Sequence, residues 1–364
     1  MELNGNKSVA AAARAFAIEG ELTGAAPYGS GHINDSYRAV FRRNGSQSRC
    51  LLQRINHRIF KNPVALMDNI ERVTAHLGAR VAADPDRDRR VLRLIPAREG
   101  GVLHIDADGE YWRAYVFIDR ATTYNAVESA DQAFQAARAF GEFQRMLADL
   151  PAPRLHDTIP DFHHTPRRFA ALEQAIAADV AGRVALAQPE IDFALARKSL
   201  AGALVGAGLP ERVTHNDTKI NNVLLDDATG EGTCVIDLDT VMPGLAAYDF
   251  GDMVRTATCR AAEDEQDLKK VSMEFPLFEA LARGYLSTAS RFLTPGEKES
   301  LAVAGKLITF EIGIRFLTDY LSGDTYFKVH RPGHNLDRTR AQFKLLESIE
   351  QQDDRIRKLL ASIG

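Results

Sequence analysis

His215-Asn216-Asp217-Thr218-Lys219-Ile220-Asn221-Asn222, followed after a turn by Ile236-Asp237-Leu238-Asp239, is the densest run of polar chemistry in the chain, and the rest of the sequence reads outward from it. Moving a phosphoryl group asks little covalent work of a protein. It needs a carboxylate beside the attacking hydroxyl, a cation near the transferred phosphate and oxygen ligands for magnesium. A loop with Asp217, Lys219 two residues on and Asn222 five residues on carries all three in one turn. Asp226–Gly232, rich in turn formers, then returns the chain so that Asp237 ends a β-run beside the same loop. Alone, Asp217 or Asp237 would be an ordinary turn or cap residue. Together with Lys219, Asn221 and Asn222, flanked by apolar Val213 and Val223, they bring more polarity than a plain turn requires.

Upstream of this run the chain reads mainly as strands: 25–28, 36–41, 49–55, 91–95, 101–105 and 111–118, with a polar hairpin at 42–48. One helix interrupts them at about 63–77, where Val64, Met67, Ile70, Val73 and Leu77 repeat at three and four residues and form one buried stripe. After Ile118 the periods are helical, over 131–150, 167–187, 190–205, 275–287, 295–321 and 338–363, around a short β-rich insert at 212–236. At 364 residues the chain has room for two such parts, an N-terminal one over 1–118 and a C-terminal one over 119–364.

Composition removes several classes of function. The 45 Lys and Arg against 49 Asp and Glu leave a net charge of −4 with both signs scattered, which gives no footprint for nucleic acid. Cys50, Cys234 and Cys259 lie far apart, without the spacing of a disulfide framework or a zinc site, and read as reduced thiols of a cytoplasmic protein. The Ala-rich stretch 9–18 is interrupted by Arg14 and suits a short helix better than a signal peptide. No run reaches the ~18 apolar residues of a membrane span.

The HxDxKxxN arrangement followed by apolar-Asp resembles the catalytic loop and metal-binding Asp of the protein-kinase-like superfamily, in its aminoglycoside phosphotransferase and choline kinase branch. The resemblance implies a bilobal α+β fold: a small antiparallel β-sheet lobe with one packed helix that binds nucleotide, and a larger, mainly helical lobe that holds the catalytic loop and the acceptor. It implies ATP and Mg2+, with Asp217 orienting the acceptor hydroxyl, Lys219 near the γ-phosphate, Asn222 and Asp237 on magnesium, and Asp239 at a second metal. The turn Tyr28-Gly29-Ser30-Gly31-His32-Ile33-Asn34 sits where this fold covers the nucleotide, and Gly29, Ser30 and Gly31 let backbone N–H groups approach phosphates. Residues 116–119, with Val116 and Ile118, fall where adenine is contacted. One position departs from the superfamily pattern: Gln53 stands where kinases carry a strand-three lysine. Its amide can bond a phosphate but cannot neutralise it.

A closer resemblance covers almost the whole chain. Gly-Ser-Gly-His-Ile-Asn (29–34), Leu-Gln-Arg-Ile-Asn (52–56), Asp-Phe-His-His-Thr-Pro-Arg-Arg-Phe (161–169), Thr-His-Asn-Asp-Thr-Lys (214–219), Tyr-Asp-Phe-Gly-Asp (248–252) and Arg-Phe-Leu-Thr-Asp-Tyr-Leu (315–321) are similar to the bacterial N-acetylhexosamine 1-kinase family. That family also carries Gln at the strand-three position. The similarity implies phosphorylation of the anomeric hydroxyl of N-acetylglucosamine or N-acetylgalactosamine, with His32, Arg315 and Tyr326 beside Asp217 as sugar contacts. Arg315 also lies four residues from both Glu311 and Asp319, so intrahelical pairing is the competing account of it. His163-His164 reads as a solvated linker between helices, since neighbouring side chains diverge and no acidic or Cys ligand stands at metal spacing. Asp249 reads as structural, a brace for the catalytic loop. The rival readings are another hydroxyl acceptor (choline, homoserine or an aminoglycoside) and a nucleotide-binding pseudokinase. Asp217, Asn222 and Asp237 are all present, which argues against the latter.

Overall fold

A computed structural model of the chain describes residues 7–29 and 33–364; Ser30, Gly31 and His32 of the glycine turn lie outside the described residues. The chain forms two compact units. The first comprises residues up to Ala121, Asp149–Ile159 and Thr233–Met242, and the second comprises Thr122–Ala148, Pro160–Gly232 and Pro243–Gly364.

In chain order the first unit opens with α1 (Lys7–Ala15), β1 (Glu21–Pro27), β2 (Asp35–Arg43), β3 (Ser46–Ile55), α2 (Pro63–Arg80), α3 (Arg87–Arg90), β4 (His104–Ile105) and β5 (Tyr111–Val116). The strands make one antiparallel sheet in the order β1-β2-β3-β5-β4. Asn44-Gly45, both at positive φ, close the β2–β3 hairpin with the turn chemistry that two-residue hairpins favour. Register puts Ser36 opposite Gln53 and Gln53 opposite Arg113, so these three side chains share one face. The opposite face is apolar: Ala39, Phe41, Cys50, Leu52, Trp112 and Ala114 pack with Ala12, Ala13 and Phe16 of α1. Burial pushes the Cys50 and Cys234 thiols up to about 12, which makes them inert core groups.

Two expectations shift here. The helical stripe of α2 runs through Pro63, Leu66, Met67, Ile70, Val73 and Leu77, whereas Val64 is 62% exposed, because Pro63 takes the buried place in the first turn. Residues 91–95 are extended but form no strand. They join β5 through one bridge, Leu94 to Tyr115, and the bonds Ile95 N to Ala114 O (2.8 Å) and Val116 N to Arg93 O (2.9 Å), before Pro96 ends the pairing.

Three short strands lie where the chain passes between the units: β6 (Ala121–Thr122), then, further on, β9 (Gly232–Val235) and β10 (Met242–Gly244). The second unit holds α4 (Ala130–Leu147), α5 (Thr165–Ala178), α6 (Gln188–Ala196), β7 (Arg212–Thr214), β8 (Val223–Asp226), α7 (Ala246–Ala257), α8 (Phe275–Ala289), α9 (Pro295–Leu321), α10 (His334–Gln351) and α11 (Asp353–Ile363). The 27-residue α9 is its axis, begun by a Thr294–Glu297 capping box and packed by α5, α7 and α10. α4 and α8 approach closely because two positions lack a side chain: a Cβ on Gly284 would strike the Phe134 carbonyl, and one on Gly141 would strike Thr288 and Tyr285. The helix expected over 167–187 stops at Ala178, where Asp179 turns left-handed, and the one expected over 338–363 is two helices parted at Gln352.

Candidate active site

Residues 215–219 lie between β7 and a short 3-10 turn, Ile220–Asn222, that leads into β8. Asn216 sits at φ +66, a left-handed conformation that Asn tolerates better than most residues. Two carboxylates of α7, one turn apart, hold the loop's backbone. Asp249 Oδ2 accepts the His215 N–H (2.9 Å), its Oδ1 accepts the Asn216 N–H (2.7 Å), and Asp252 accepts the Thr218 N–H (2.8 Å). Thr218 returns a bond from its hydroxyl to the Asp249 carbonyl (2.7 Å). Asp249 is fully buried and also accepts from Gln144 Nε2 (2.6 Å), whose own oxygen accepts the Tyr285 hydroxyl (2.6 Å). Burial raises the Asp249 carboxyl above its ordinary range, and His215 and these donors only partly offset that.

Asp217 is one-quarter exposed along its side chain. Lys219 Nζ lies 3.0 Å from its Oδ2, and Asn222 Nδ2 donates to the same oxygen (3.1 Å) and to the Asp217 carbonyl (2.8 Å). Its Oδ1 makes no hydrogen bond among the described residues. Burial pushes this carboxyl up, but Lys219, His215 and Arg255 outweigh it and hold Asp217 below the ordinary carboxylate range, so it is an anion at neutral pH. His215 is buried against the edges of Phe140 and Phe143, and its Nδ1 accepts the Asp217 N–H (3.3 Å). With its Nδ2 spent on Asp217, Asn222 keeps Oδ1 as an acceptor suited to a hard cation. The second unit thus gathers Asp217, Lys219 and Asn222 at one point.

In the first unit, Asp237 is exposed at the end of β9's run, at φ +59. Asp239 is buried, and both its oxygens are engaged: Oδ1 by Arg113 Nη1 and Oδ2 by Asn34 Nδ2. Gln53 donates to Ser36 Oγ (2.9 Å) and accepts from Arg113 Nε (3.0 Å). Gly29, at φ +81, opens the glycine turn, whose base closes through Tyr28 N to Ser36 O (2.9 Å). The Val116 N–H is spent on Arg93, while the N–H and C=O of buried Ile118 make no hydrogen bond among the described residues.

Arg315 lies on α9 one turn beyond Glu311. The two intrahelical partners that sequence offered it are both committed elsewhere. Glu311 accepts from His163 (2.8 Å) and Thr165 (2.6 Å), and Asp319 accepts the N–H groups of Thr325 (2.8 Å), Tyr326 (2.8 Å) and Phe327 (2.9 Å) together with Asn335. The Arg315 guanidinium has no ion pair or hydrogen bond among the described residues and lies between the rings of Phe162 (5.2 Å) and Phe327 (5.7 Å). Arg168 stands near it, bonded among the described residues only to the Phe162 carbonyl, and burial and then the like charge of Arg315 lower its pKa. Tyr326 is 60% exposed, edge-on to Phe327.

The His-His pair differs from its reading as a solvated linker. Adjacent side chains do diverge, but one of them turns into the core. His163 is buried, with Nε2 on the Asn216 carbonyl (3.0 Å), while His164 caps α5 by accepting the Arg167 N–H (3.2 Å). His163, Asp252, Gln144 and Arg113 are the residues that sequence reasoning missed. Asp252 had a visible signal, since it lies three residues from Asp249 on one helical face.

Residues 24–283 match the phosphotransferase enzyme family, described as APH, and the chain belongs to that family. Small-molecule phosphotransfer on the kinase-like fold is the activity that membership carries. Among solved structures, the chain is similar to a microcompartment-associated aminopropanol kinase (16% identity, 96% of this chain and 98% of that one, TM-score 0.58). It is also similar to a spectinomycin phosphotransferase in complex with ADP and spectinomycin (12% identity, 91% and 94%, TM-score 0.52). A third is the choline kinase of Cryptosporidium parvum Iowa II (14% identity, 93% and 92%, TM-score 0.52). Among the described residues no helix is long and apolar enough to cross a membrane.

Proposed function

We propose that the chain transfers the γ-phosphate of ATP, with magnesium, to the anomeric 1-hydroxyl of N-acetylglucosamine or N-acetylgalactosamine, giving the sugar 1-phosphate and ADP. The observation that carries the acceptor class is Arg315: a guanidinium with no ion-paired or hydrogen-bonded carboxylate among the described residues, set between two aromatic faces and accompanied by a second guanidinium, Arg168. An acceptor bearing an ammonium group, as choline and aminopropanol do, would meet like charge there. A sugar offers hydroxyl and amide oxygens to a planar donor fork and a CH face to Phe162, Phe327 or Tyr326.

In this reading Asp217 orients the acceptor through Oδ1, the oxygen that Lys219 and Asn222 leave open, and receives its proton as the O–P bond forms. Lys219 offers its charge to the transferred phosphoryl group. Asn222 in the second unit and Asp237 in the first each present an oxygen of the hard type that magnesium takes, and Asp239 has both oxygens occupied by protein. When bound, magnesium supplies neutralisation of the phosphate charge. Gly29 and the turn it opens, Gln53 and Ile118 are the proposed nucleotide contacts, and His32, Arg315 and Tyr326 the proposed sugar contacts.

The test is ATP consumption with magnesium against N-acetylglucosamine, N-acetylgalactosamine, glucosamine, galactose, choline, homoserine and kanamycin, run on wild type and Asp217→Asn. The proposal requires turnover with an N-acetylhexosamine, loss of that turnover in the variant and a product that no longer behaves as a reducing sugar. Turnover with choline or kanamycin alone would overturn the acceptor and leave the phosphotransferase standing.

A further inference from the structure

We propose that Arg113 supplies, one strand over, the cation that strand β3 lacks, and that it acts on the nucleotide as a positioning residue through Gln53. The inference rests on the phosphotransferase reading above and extends it to a residue that no sequence motif marks.

The observation is a polar row across the first unit's sheet. Ser36, Gln53 and Arg113 are register partners on β2, β3 and β5, with their side chains on the face opposite the apolar core. They are bonded in series. Arg113 Nε donates to Gln53 Oε1 (3.0 Å), Gln53 Nε2 donates to Ser36 Oγ (2.9 Å), and Arg113 Nη1 donates to Asp239, whose other oxygen takes Asn34 from the end of the glycine turn. Asn34 in turn accepts the Asn56 N–H (2.9 Å), so turn, sheet and Asp237-Leu238-Asp239 segment are tied into one network.

Two physical consequences follow. A guanidinium only donates, so Arg113 fixes which way the Gln53 amide faces: its oxygen must meet Arg113, and its NH2 group must face away, toward Ser36. Gln53 therefore presents a donor, the polarity a phosphate oxygen needs, and the adjacent cation polarises that donor further. Arg113 itself is fully buried, with Asp239 and then Asp237 as its nearby anions. A buried ion pair is weak evidence for stability, since an apolar pair of similar volume often serves as well. Paired with Asp239, its charge lies one hydrogen bond from the Gln53 amide that would face the polyphosphate. Asp239, held by Arg113 and Asn34, belongs in this account to the positioning network rather than to a second metal.

The test is calorimetric binding of ADP, AMP and adenosine to the full chain, without acceptor or turnover. Arg113→Met is expected to weaken ADP at least tenfold while adenosine changes less than twofold, and the exchange variant Gln53→Lys/Arg113→Gln, which moves the cation onto β3, is expected to recover most of the ADP affinity. Gln53→Leu, at a half-buried position that leaves the Arg113–Asp239 pair intact, should show the same selective loss of ADP and serves if Arg113→Met does not fold. Equal ADP-to-adenosine ratios in wild type and the folded variants would overturn the proposal. A wild-type chain that binds neither ADP nor ATP would overturn the nucleotide reading beneath it instead.

Discussion

His163 is clasped to Glu311: Nδ1 lies 2.8 Å from Glu311 Oε1, and Nε2 lies 3.0 Å from the Asn216 carbonyl. Both partners are acceptors, so the geometry suits two ring N–H donors, the imidazolium form, which the ring takes below its raised pKa. Burial alone would lower its pKa, but Glu311, the Asn216 carbonyl and Asp252 raise it above the ordinary 6.5. Glu311, which burial pushes up, is held below its ordinary value by His163 and then Arg315. A group whose folded pKa is raised stabilises fully below its unfolded value and loses that contribution as pH rises through the folded one. His163→Gln should therefore cost about 3 kcal/mol near pH 6, and the cost should shrink as pH rises past the neutral range. Urea denaturation of both proteins between pH 6 and pH 9 checks this, and a pH-independent difference would mean a neutral ring.

Removing the charge of Asp217 while keeping its shape tests the chemistry directly. Asp217→Asn should lower kcat by roughly 10²- to 10⁴-fold. ADP affinity should stay within twofold, as read by calorimetry on the same preparation.

Asp249 touches no candidate substrate position, yet it receives the N–H groups of His215 and Asn216. Asp249→Asn turns one of those acceptors into a donor facing a donor. Displacing the loop this way should lower kcat by roughly 10²-fold, with ADP binding to the folded variant little changed. Steady-state kinetics and binding together separate this from general unfolding.

Arg315 should behave as an acceptor residue. Arg315→Met is expected to raise KM for the N-acetylhexosamine by roughly 10- to 100-fold, the worth of a hydrogen bond to a charged group, and to leave KM for ATP unchanged. Arg315→Lys keeps the charge but loses the planar fork and should recover only part. A shift in KM for ATP alone would place Arg315 outside the acceptor site.

The α4–α8 contact gives a stability prediction with no kinetic signature. Gly284→Ala drives a methyl into the Phe134 carbonyl and should destabilise by about 1–3 kcal/mol. Thermal unfolding reads the loss, and KM for either substrate should not move.

Much of this was legible in the sequence because it is periodic or local. The long helix 295–321 announces itself by its apolar repeat, and β2, β3 and β5 by runs of strand-forming residues between turn formers. The spacing of Asp217, Lys219 and Asn222 is local, and the fold brings them together at one carboxylate. What stayed hidden depends on pairing across sequence distance. Nothing near Arg113 shows that register will set it beside Gln53, 60 residues away. Likewise His163 meets Glu311 148 residues away. α7 does not read as a helix in the sequence, yet Asp249 within Tyr-Asp-Phe-Gly-Asp reads as a brace for the catalytic loop, and its carboxylate does accept the backbone N–H groups of His215 and Asn216.

Asp319 gathers the backbone of residues 325–327 while the side chain of Tyr326 stands clear of it. Shape and identity are thereby largely uncoupled: the peptide path is dictated from α9 by one carboxylate, and the side chain displayed at 326 touches the protein through its edge-on contact with Phe327. A substitution at 326 therefore changes what the surface displays there while the backbone path, set by Asp319, stays in place.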